Sequence, residues 1–361
     1  MIKVGSDFSG VGAFNQALNK SNINYETIFA CDMDKYARET YIANYGEPKY
    51  YPENVYDREI PKEPLDIYMT SPPCQAFSLA GKRKGEADKR GVLFYNSHEF
   101  IVKNKPRYFI FENVKGLLSD AKGRTFQIWL DMLGGKTVNG NPVIFPREDA
   151  TPYHIYYKVF NAKNYGVPQN RERVFIIGIR DDADNTFTWP KPFHLTKRLK
   201  DVLEDNVDEK YYLSDKMLNG FLNKKGDFGN RFSPKEEDDK TADCITARYY
   251  KMAVTDNYLK LKSETKKDNV VVCEQRNDEG LRFFKNGVCG AVRTIDSGGD
   301  KRVIEKKEMY KIRRLTPREC FRLMDFPDTF TWPVSNSQAY KQAGNTIVVN
   351  VLKQIIIKLK F

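Results

Sequence analysis

Apolar runs and amphipathic stretches alternate through the first half of the chain. Short runs of β-branched and aromatic residues predict strands at residues 2–4, 26–30, 65–69 and 107–111. Between them, the spacing of apolar residues predicts helices at residues 13–18, 35–44, 96–103 and 126–133. A chain that alternates strand and helix in this way is typical of an α/β fold, whose sheet should be mostly parallel.

The second half has a different pattern. Residues 153–159 and 173–179 flank one loop, which predicts two antiparallel neighbours at one edge of the sheet. Between residues 181 and 311 the composition shifts to Lys, Asp, Asn and Gly with short apolar runs, which predicts a second, irregular β or coil domain. Residues 339–361 carry apolar side chains on most helical faces, so we predict a buried helix that packs on the first domain.

Charge and cysteine usage narrow the class of protein. The 361 residues include 59 Lys and Arg against 48 Asp and Glu, and the net charge of +11 favours a polyanionic partner. No apolar run is long enough to span a membrane and no secretion signal opens the chain, so we expect an intracellular protein. The six cysteines occur singly and there are three histidines, which argues against disulfides and metal sites. An important cysteine is therefore expected to be a lone nucleophile.

The turn after the first predicted strand has the features of a cofactor site. Gly10 and Gly12 let a ligand approach the backbone at the start of a helix. The third glycine of the dinucleotide fingerprint is missing, since Asn15 occupies its place, which favours another nucleoside-bearing cofactor over NAD or FAD. Asp32 ends the second strand, where a carboxylate can accept hydrogen bonds from ribose hydroxyls. The alternative is that Asp32 caps a helix or turn.

Reactive side chains follow the next two predicted strands. Cys74 lies in a stiff Pro-Pro-Cys-Gln turn after residues 65–69, although a lone cysteine is also common in an inert core. Glu112 ends the following strand, where a carboxylate serves as acid, base or cap. Both positions lie at the carboxyl edge of a parallel sheet, where open α/β folds bind ligands.

Two arginines and a basic loop complete the set of candidates. Alternation places Gln169, Arg171 and Arg173 on one face of a strand, where two guanidinium groups suit an anion or carbonyl oxygens. A surface salt-bridge ladder is the alternative. The charged, Gly-rich residues 81–91 predict a loop that closes over a phosphate backbone, or else a solvated surface loop.

In their order along nearly the whole chain, these motifs resemble those of the DNA (cytosine-5) methyltransferase family of bacterial or phage type. The matching segments are Phe8-x-Gly10-x-Gly12, Asp32, Pro73-Cys74-Gln75, Glu112-Asn113-Val114, Gln169-x-Arg171-x-Arg173, residues 314–327 and residues 338–346. Departures from the family pattern are Ser6 in place of an acid, Ala13 and Asp325 in place of glycine, and Thr346 in place of serine.

The resemblance implies an architecture and a reaction. It implies a Rossmann-like methyltransferase sheet that binds S-adenosylmethionine at residues 1–180 and a smaller, irregular β and coil target-recognition domain at residues 181–334. Residues 335–361 would return to the first domain as a helix. The implied reaction is sequence-specific methylation of cytosine C5 in double-stranded DNA, after the base has flipped out of the duplex.

The resemblance also implies roles for individual residues. The Cys74 thiolate would attack C6, Glu112 would protonate or hydrogen-bond N3, and Arg171 or Arg173 would contact O2. The implied cofactor site consists of Phe8, Gly10, Gly12, Asp32, Met33, Asn54, Asp57, Leu93 and Asn345. The expected DNA contacts are Gln75, Ser78, Lys82, Arg83, Arg90, Arg248 and Arg293. The last two lie in residues 244–249 and 291–295, which both resemble the family's recognition segment.

Three alternatives compete with this interpretation. Related enzymes that methylate tRNA typically carry a Cys-Phe-Thr segment, which is not found here. A non-catalytic DNA-binding relative would not need Cys74, Glu112 and both arginines together. A dinucleotide-dependent oxidoreductase lacks support because of the missing glycine. We expect a cytoplasmic, nucleoid-associated monomer with no metal and no membrane contact, and the sequence leaves open whether a restriction endonuclease accompanies it.

Overall fold

The computed structural model describes residues 1–73, 92–183, 185–222, 232–262, 271–276, 280–284, 299–304 and 310–361. The chain divides into two compact units: Met1–Asp205 with Asp238–Asp256 and Thr316–Phe361, and Asn206–Glu237 with Asn257–Leu315. Within the described residues, no helix is long and apolar enough to cross a bilayer.

The elements follow the predicted rhythm in the first half of the chain. The strands are β1 (Ile2–Asp7), β2 (Tyr25–Cys31), β3 (Ile67–Thr70), β4 (Tyr108–Val114), β5 (Thr137–Val138), β6 (Asn141–Pro142), β7 (Tyr153–Asn161), β8 (Gln169–Asn170), β9 (Glu172–Arg180), β10 (Ala242–Asp243), β11 (Tyr258–Lys262), β12 (Val271–Arg276), β13 (Gly280–Phe284), β14 (Gly299–Ile304) and β15 (Tyr310–Arg314). The α-helices are α1 (Ala13–Lys20), α2 (Lys35–Tyr45), α3 (Val92–Asn104), α4 (Arg124–Leu133), α5 (Asp215–Leu222), α6 (Pro317–Arg322), α7 (Asn336–Asn345) and α8 (Val349–Ile356). Short 3₁₀ segments cover Lys115–Gly123, Ala162–Tyr165, Leu199–Val202, Glu209–Tyr211 and Tyr249–Lys251.

An eight-stranded mixed sheet organises the first unit. Its order is β2-β1-β3-β4-β9-β7-β5-β6, and the first four of these strands are parallel, which confirms the α/β prediction. β9 runs antiparallel to both β4 and β7. The carboxyl ends of β1 to β4 therefore meet the amino end of β9 at one side of the sheet, which we call the carboxyl edge.

The sheet is buried because its strands are apolar on both faces. All four residues of β3 are buried, and Phe29, Ile110 and Ile177 are fully inaccessible to solvent. Such continuous apolar runs are typical of central strands covered on both sides.

The predicted antiparallel pairing of residues 153–159 with residues 173–179 is confirmed by β7 and β9. These strands are not the edge of the sheet, because the two-residue strands β5 and β6 extend it beyond β7.

The C-terminal segment differs from its prediction. Residues 339–361 were expected to form one helix, whereas α7 ends at Asn345 and α8 begins at Val349. The chain turns out of the helix at Thr346, whose ψ of 160° is extended. The predicted burial and the packing on the first unit are confirmed, since Leu352 and Ile355 are fully buried and α8 packs against α1.

The second unit contains α5 and small antiparallel sheets. β11 pairs with β15, and β12 lies between β13 and β14. Three parts of the segment predicted as one domain, residues up to Asp205, 238–256 and 316–334, belong instead to the first unit. One reason is that β10 pairs with β8 of the first unit. The assignment of the second unit to target recognition stays a prediction.

Candidate functional site

The turn after β1 lies at the carboxyl edge in a left-handed backbone conformation. Phe8 has φ of 56° and packs partly on the core, and Gly10 has φ of 54°. A Cβ atom added to Gly10 would have no neighbour within 4 Å, so space for a ligand adjoins this residue. Gly12 differs, because its Cβ would lie 2.2 Å from the Tyr45 ring. Helix packing and a φ of 84° are therefore enough to require this glycine, and its place in the cofactor site stays a prediction.

Asp32 is joined directly to that turn. Its carboxylate accepts hydrogen bonds from the backbone N–H of Gly10 at 2.7 Å and of Asp34 at 2.8 Å. Burial raises the pKa of Asp32, and the two N–H donors oppose this shift. Each carboxylate oxygen keeps acceptor capacity on a half-buried side chain, so the residue can accept a ribose hydroxyl pair. The predicted nucleoside acceptor therefore fits its surroundings.

Arg38 and Tyr51, which the sequence analysis missed, hold the neighbouring segment. The Arg38 guanidinium lies 4.0 Å above the Tyr51 ring and donates to the carbonyl groups of Tyr51 at 2.7 Å and Pro52 at 3.1 Å. The Tyr51 hydroxyl forms a 3.2 Å hydrogen bond with Ser9. No sequence motif identifies these residues, because their contacts depend on the path that the backbone takes beside β2.

The other predicted cofactor residues lie around this turn with fewer contacts. Asn54 and Asp57 are exposed, and the Asn54 side chain accepts from the backbone N–H of Tyr56 at 3.0 Å. The three remaining positions are 84% exposed Met33, partly buried Leu93 in α3 and exposed Asn345 at the end of α7. Their place in a cofactor site stays a prediction.

Glu112 and Arg173 form an ion pair at the carboxyl edge. The antiparallel pairing of β4 with β9 brings the start of β9 beside the end of β4, and Arg173 Nε lies 3.1 Å from Glu112 Oε1. Glu112 is 8% exposed, and burial raises its pKa against the opposing effect of Arg173 and Arg171. A carboxyl group with a raised pKa can donate a proton or hydrogen bond to a ring nitrogen near neutral pH.

Arg171 lies on the predicted face but binds the protein itself. Its guanidinium donates to the carbonyl groups of Ile245 at 2.8 Å, Gly344 at 3.0 Å and Thr346 at 2.8 Å. It also contacts Cys244 Sγ at 3.4 Å, and burial lowers the pKa of Arg171 to about 10. The sequence offers both arginines as candidates for a substrate contact. The Nη atoms of Arg171 are occupied by carbonyl groups of the chain, which favours Arg173 for that contact, and the catalytic role of either arginine stays a prediction.

The turn that precedes Cys74 is anchored from the end of β4. The Asn113 side-chain amide donates to the Pro72 carbonyl at 2.9 Å, two residues before the predicted nucleophile. The Glu-Asn-Val motif could have suggested such a role for its asparagine. The predicted residues Cys74, Gln75, Ser78, Lys82, Arg83, Arg90 and Arg293 lie outside the described residues.

Two cysteines, Cys31 and Cys320, are poorly placed to act as nucleophiles. Cys31 and Cys320 are fully buried, and burial raises the pKa of Cys31 to about 12. Cys244 is half-buried and its sulfur accepts from Arg171. Since the thiolate is the reactive form, neither buried cysteine suits covalent catalysis.

The recognition-like segment 244–249 belongs to the first unit. It is pressed against α7, because a Cβ on Gly344 would lie 2.2 Å from the Thr246 backbone. The Tyr249 ring also packs on Tyr340 at 5.3 Å. Arg248 projects from this segment as an exposed residue.

Comparison with known proteins agrees with the family that the order of the motifs resembles. The family described as C-5 cytosine-specific DNA methylase matches residues 2–360. The type II methyltransferase M.SsoII of Shigella sonnei is 33% identical over 361 residues, which cover 98% of this chain and 78% of that protein. The orphan methyltransferase M.SPRI of Bacillus phage SPR is 31% identical, with 99% and 97% covered.

A solved structure supports the fold. The crystal structure of the S. pombe Dnmt2 methyltransferase has a TM-score of 0.68 at 20% identity, covering 99% of this chain and 97% of its own. The fold, the ordered motifs and the full-length matches agree with one another. The chain therefore belongs to the C-5 cytosine-specific DNA methylase family, whose members are DNA (cytosine-5) methyltransferases.

Proposed function

We propose that this protein transfers a methyl group from S-adenosylmethionine to C5 of cytosine at a specific sequence in duplex DNA, using Cys74 as the nucleophile. The observation that carries the proposal is the Glu112–Arg173 pair, a buried acid with a raised pKa 3.1 Å from a guanidinium. Asn113, next to that acid, anchors the turn that leads to Cys74.

The reaction divides among the residues as follows. Cytosine C5 is a poor nucleophile, so the Cys74 thiolate adds to C6, forming an S–C6 bond and enriching C5 in electrons. Glu112 gives a proton or hydrogen bond to N3 as negative charge develops there. Arg173 takes the place at O2, since the Arg171 guanidinium is bound to carbonyl groups. Bound S-adenosylmethionine supplies the methyl group. Loss of the C5 proton to water then breaks the C6–S bond and releases the thiolate.

The cofactor assignment rests on Asp32 and Gly10. Asp32→Ala should weaken binding of S-adenosylmethionine by about tenfold or more, because a charged acceptor for two ribose hydroxyls is lost. Isothermal titration calorimetry measures this change. The matched control is Asp182→Ala, which removes a 67% exposed acid that pairs with Arg180 beyond the other end of the sheet. Equal affinities of the Asp32 variant and wild type would place the cofactor elsewhere.

Recognition of DNA requires a flipped base and phosphate contacts. A stacked cytosine hides C6, and flipping costs roughly a few kcal/mol that phosphate neutralisation by Lys and Arg can offset. The net charge of +11 and the exposed Arg248 support this part of the proposal. Binding should therefore weaken steeply as salt concentration rises.

A trapping experiment tests the covalent step. Duplex DNA synthesised with 5-fluorocytosine in place of cytosine contains every target sequence, and fluorine cannot leave C5 as a proton does. We expect an adduct that needs S-adenosylmethionine, survives denaturing electrophoresis and maps to the Cys74 peptide.

Its controls separate the nucleophile from the overall activity. Cys74→Ser should abolish the adduct, because a hydroxyl is far less ionised than a thiol. Cys244→Ser should retain it, and tRNA containing 5-fluorocytosine should give none. An adduct at another cysteine would refute the assignment of Cys74, and methylation of tRNA in preference to DNA would refute the substrate.

A further inference from the structure

Three polar side chains meet in the core beneath the turn after β1. Asp7, the last residue of β1, accepts hydrogen bonds from Arg58 Nε at 2.9 Å and from the Tyr68 hydroxyl at 2.5 Å. Asp7 is 1% exposed, Arg58 7% and Tyr68 0%. We call these residues the buried triad.

The surroundings of the buried triad are aromatic. The Arg58 guanidinium lies 4.6 Å from the Phe100 ring centroid and 5.7 Å from that of Phe29. Tyr68 stacks on Phe100 with centroids 4.1 Å apart. Burial raises the pKa of Asp7, although Arg58 and Tyr68 oppose the shift. The ion pair therefore lies in a region that water does not reach.

Stability alone does not explain an ion pair in such a place. Removing two charges from water costs about as much as their attraction returns, and apolar residues of similar volume often stabilise a fold equally well. A hydrogen-bonded pair differs from an apolar cluster in being directional, because it fixes the relative positions of the two backbone segments that carry it.

Those two segments border the proposed cofactor site. Asp7 immediately precedes the turn with Phe8 and Gly10, and Arg58 immediately follows Asp57. The segment that leads to Arg58 is held at its start by Arg38, which donates to the Pro52 carbonyl. With Arg58 bound to Asp7, the segment 53–58 is anchored at both ends although Asn54 and Asp57 are exposed.

We propose that Asp7 and Arg58 are positioning residues that hold the segment 53–58 against the end of β1 and so preorganise the S-adenosylmethionine site. This inference rests on the proposed function, because it assumes that the cofactor binds at the carboxyl edge. A preorganised site binds its ligand more tightly, since less conformational freedom is lost on binding.

The test replaces the buried triad by apolar residues of similar size. The variant Asp7→Leu/Arg58→Met/Tyr68→Phe leaves no buried charge without a partner, so its melting temperature should stay within about 3 °C of wild type. The calorimetric Kd and the KM for S-adenosylmethionine should both rise about tenfold, whereas kcat at saturating cofactor should change by less than about twofold.

A stability control separates positioning from general loosening. Tyr153→Phe removes another buried tyrosine hydrogen bond, to the Pro106 carbonyl at 2.5 Å, away from the carboxyl edge. It should lower the melting temperature and leave the Kd for the cofactor unchanged. An equal loss of affinity in this control would overturn the proposal.

The outcomes distinguish the inference from the proposed function. If wild type does not bind S-adenosylmethionine, the proposed function is wrong and the inference falls with it. If wild type binds and the folded apolar variant binds equally well, the inference alone is wrong. Should the apolar variant not fold, Arg58→Lys decides, because it keeps the charge and loses the Nε donor. A Kd within about twofold of wild type for this variant would overturn the inference.

Discussion

Replacement of Arg171 tests whether the first arginine of the Gln-x-Arg-x-Arg motif is part of the scaffold. Arg171→Met removes a guanidinium that donates to the carbonyl groups of Ile245, Gly344 and Thr346 at 2.8–3.0 Å. These acceptors lie in segments distant along the chain, so the side chain joins the link between β8 and β9 to residues 244–246 and to the end of α7. The expected result is a large loss of folding stability, separate from any effect of the substitution on catalysis.

The size of the loss follows from these contacts. A hydrogen bond to a charged donor contributes about 1.5–3 kcal/mol, so three of them would amount to roughly 4.5–9 kcal/mol if they were additive. Removing the buried cation relieves its desolvation and its repulsion with Arg173, which the lowered pKa of Arg171 reflects. We therefore expect a net loss of about 3–5 kcal/mol, as is typical when one member of a buried polar group is deleted. Arg171→Lys keeps the charge with fewer well-directed donors and should lose about half as much.

Urea unfolding followed by circular dichroism measures the change. Arg124→Met is the matched control, because the exposed Arg124 donates to one carbonyl, that of Ala121, at 3.3 Å. The free energy of unfolding of Arg124→Met should lie within about 0.5 kcal/mol of the wild-type value. If Arg171→Met were as stable as this control while methylation was lost, Arg171 would be a substrate contact and the structural role described here would be refuted.

Two other predictions concern a titration and a turn. Because burial raises the pKa of Glu112 above its usual 4.5, the folded state holds that proton more tightly, and this contribution to stability is lost as pH rises through the folded-state pKa. Between pH 4.5 and 8 the free energy of unfolding in urea should therefore fall in wild type relative to Glu112→Gln. The fall should be about 1.4 kcal/mol for each pH unit by which folding raises the pKa, and a relative rise in wild type would contradict this prediction. Asp325 has φ of 64° and pairs with Lys20, so Asp325→Gly should exchange backbone strain for a lost ion pair and stay within about 0.5 kcal/mol of wild type. Asp325→Ala loses the ion pair but keeps the strain, so thermal unfolding should show it about 1 kcal/mol less stable, and equal stability of the two variants would contradict this.

Local signals explain why much of the sheet and part of the site could be predicted. Each of β1 to β4 is a short apolar run with a helical pattern after it, and parallel order follows from that alternation. Asp32 and Glu112 are the first polar residues after such runs, so their position at the carboxyl edge needed no knowledge of distant contacts. The left-handed φ at Asp325 likewise explains why this position commonly holds glycine in the family that the sequence resembles.

Other features depend on contacts that no local pattern encodes. Alternation showed which face Arg171 occupies, but its partners Ile245 and Thr346 are 74 and 175 residues away. Arg58 and Asp7 are 51 residues apart, and no sequence motif connects them. The break between α7 and α8 was missed because apolar residues on most faces suit one buried helix or two, although Gly344 and Asn345 before Thr346 are a helix-end signal that could have predicted it.

The division of residues 181–334 between two units has a consequence for chimeric enzymes. The segment Asp238–Asp256 is part of the first unit, and its Ile245 carbonyl is bound by Arg171. A graft that replaced 181–334 as one block would exchange this segment and leave a buried arginine facing a foreign backbone. Junctions after Asp205, Glu237, Asp256 and Leu315 would leave that contact intact. A test of the predicted recognition role should therefore transplant the two segments of the second unit, Asn206–Glu237 and Asn257–Leu315, together.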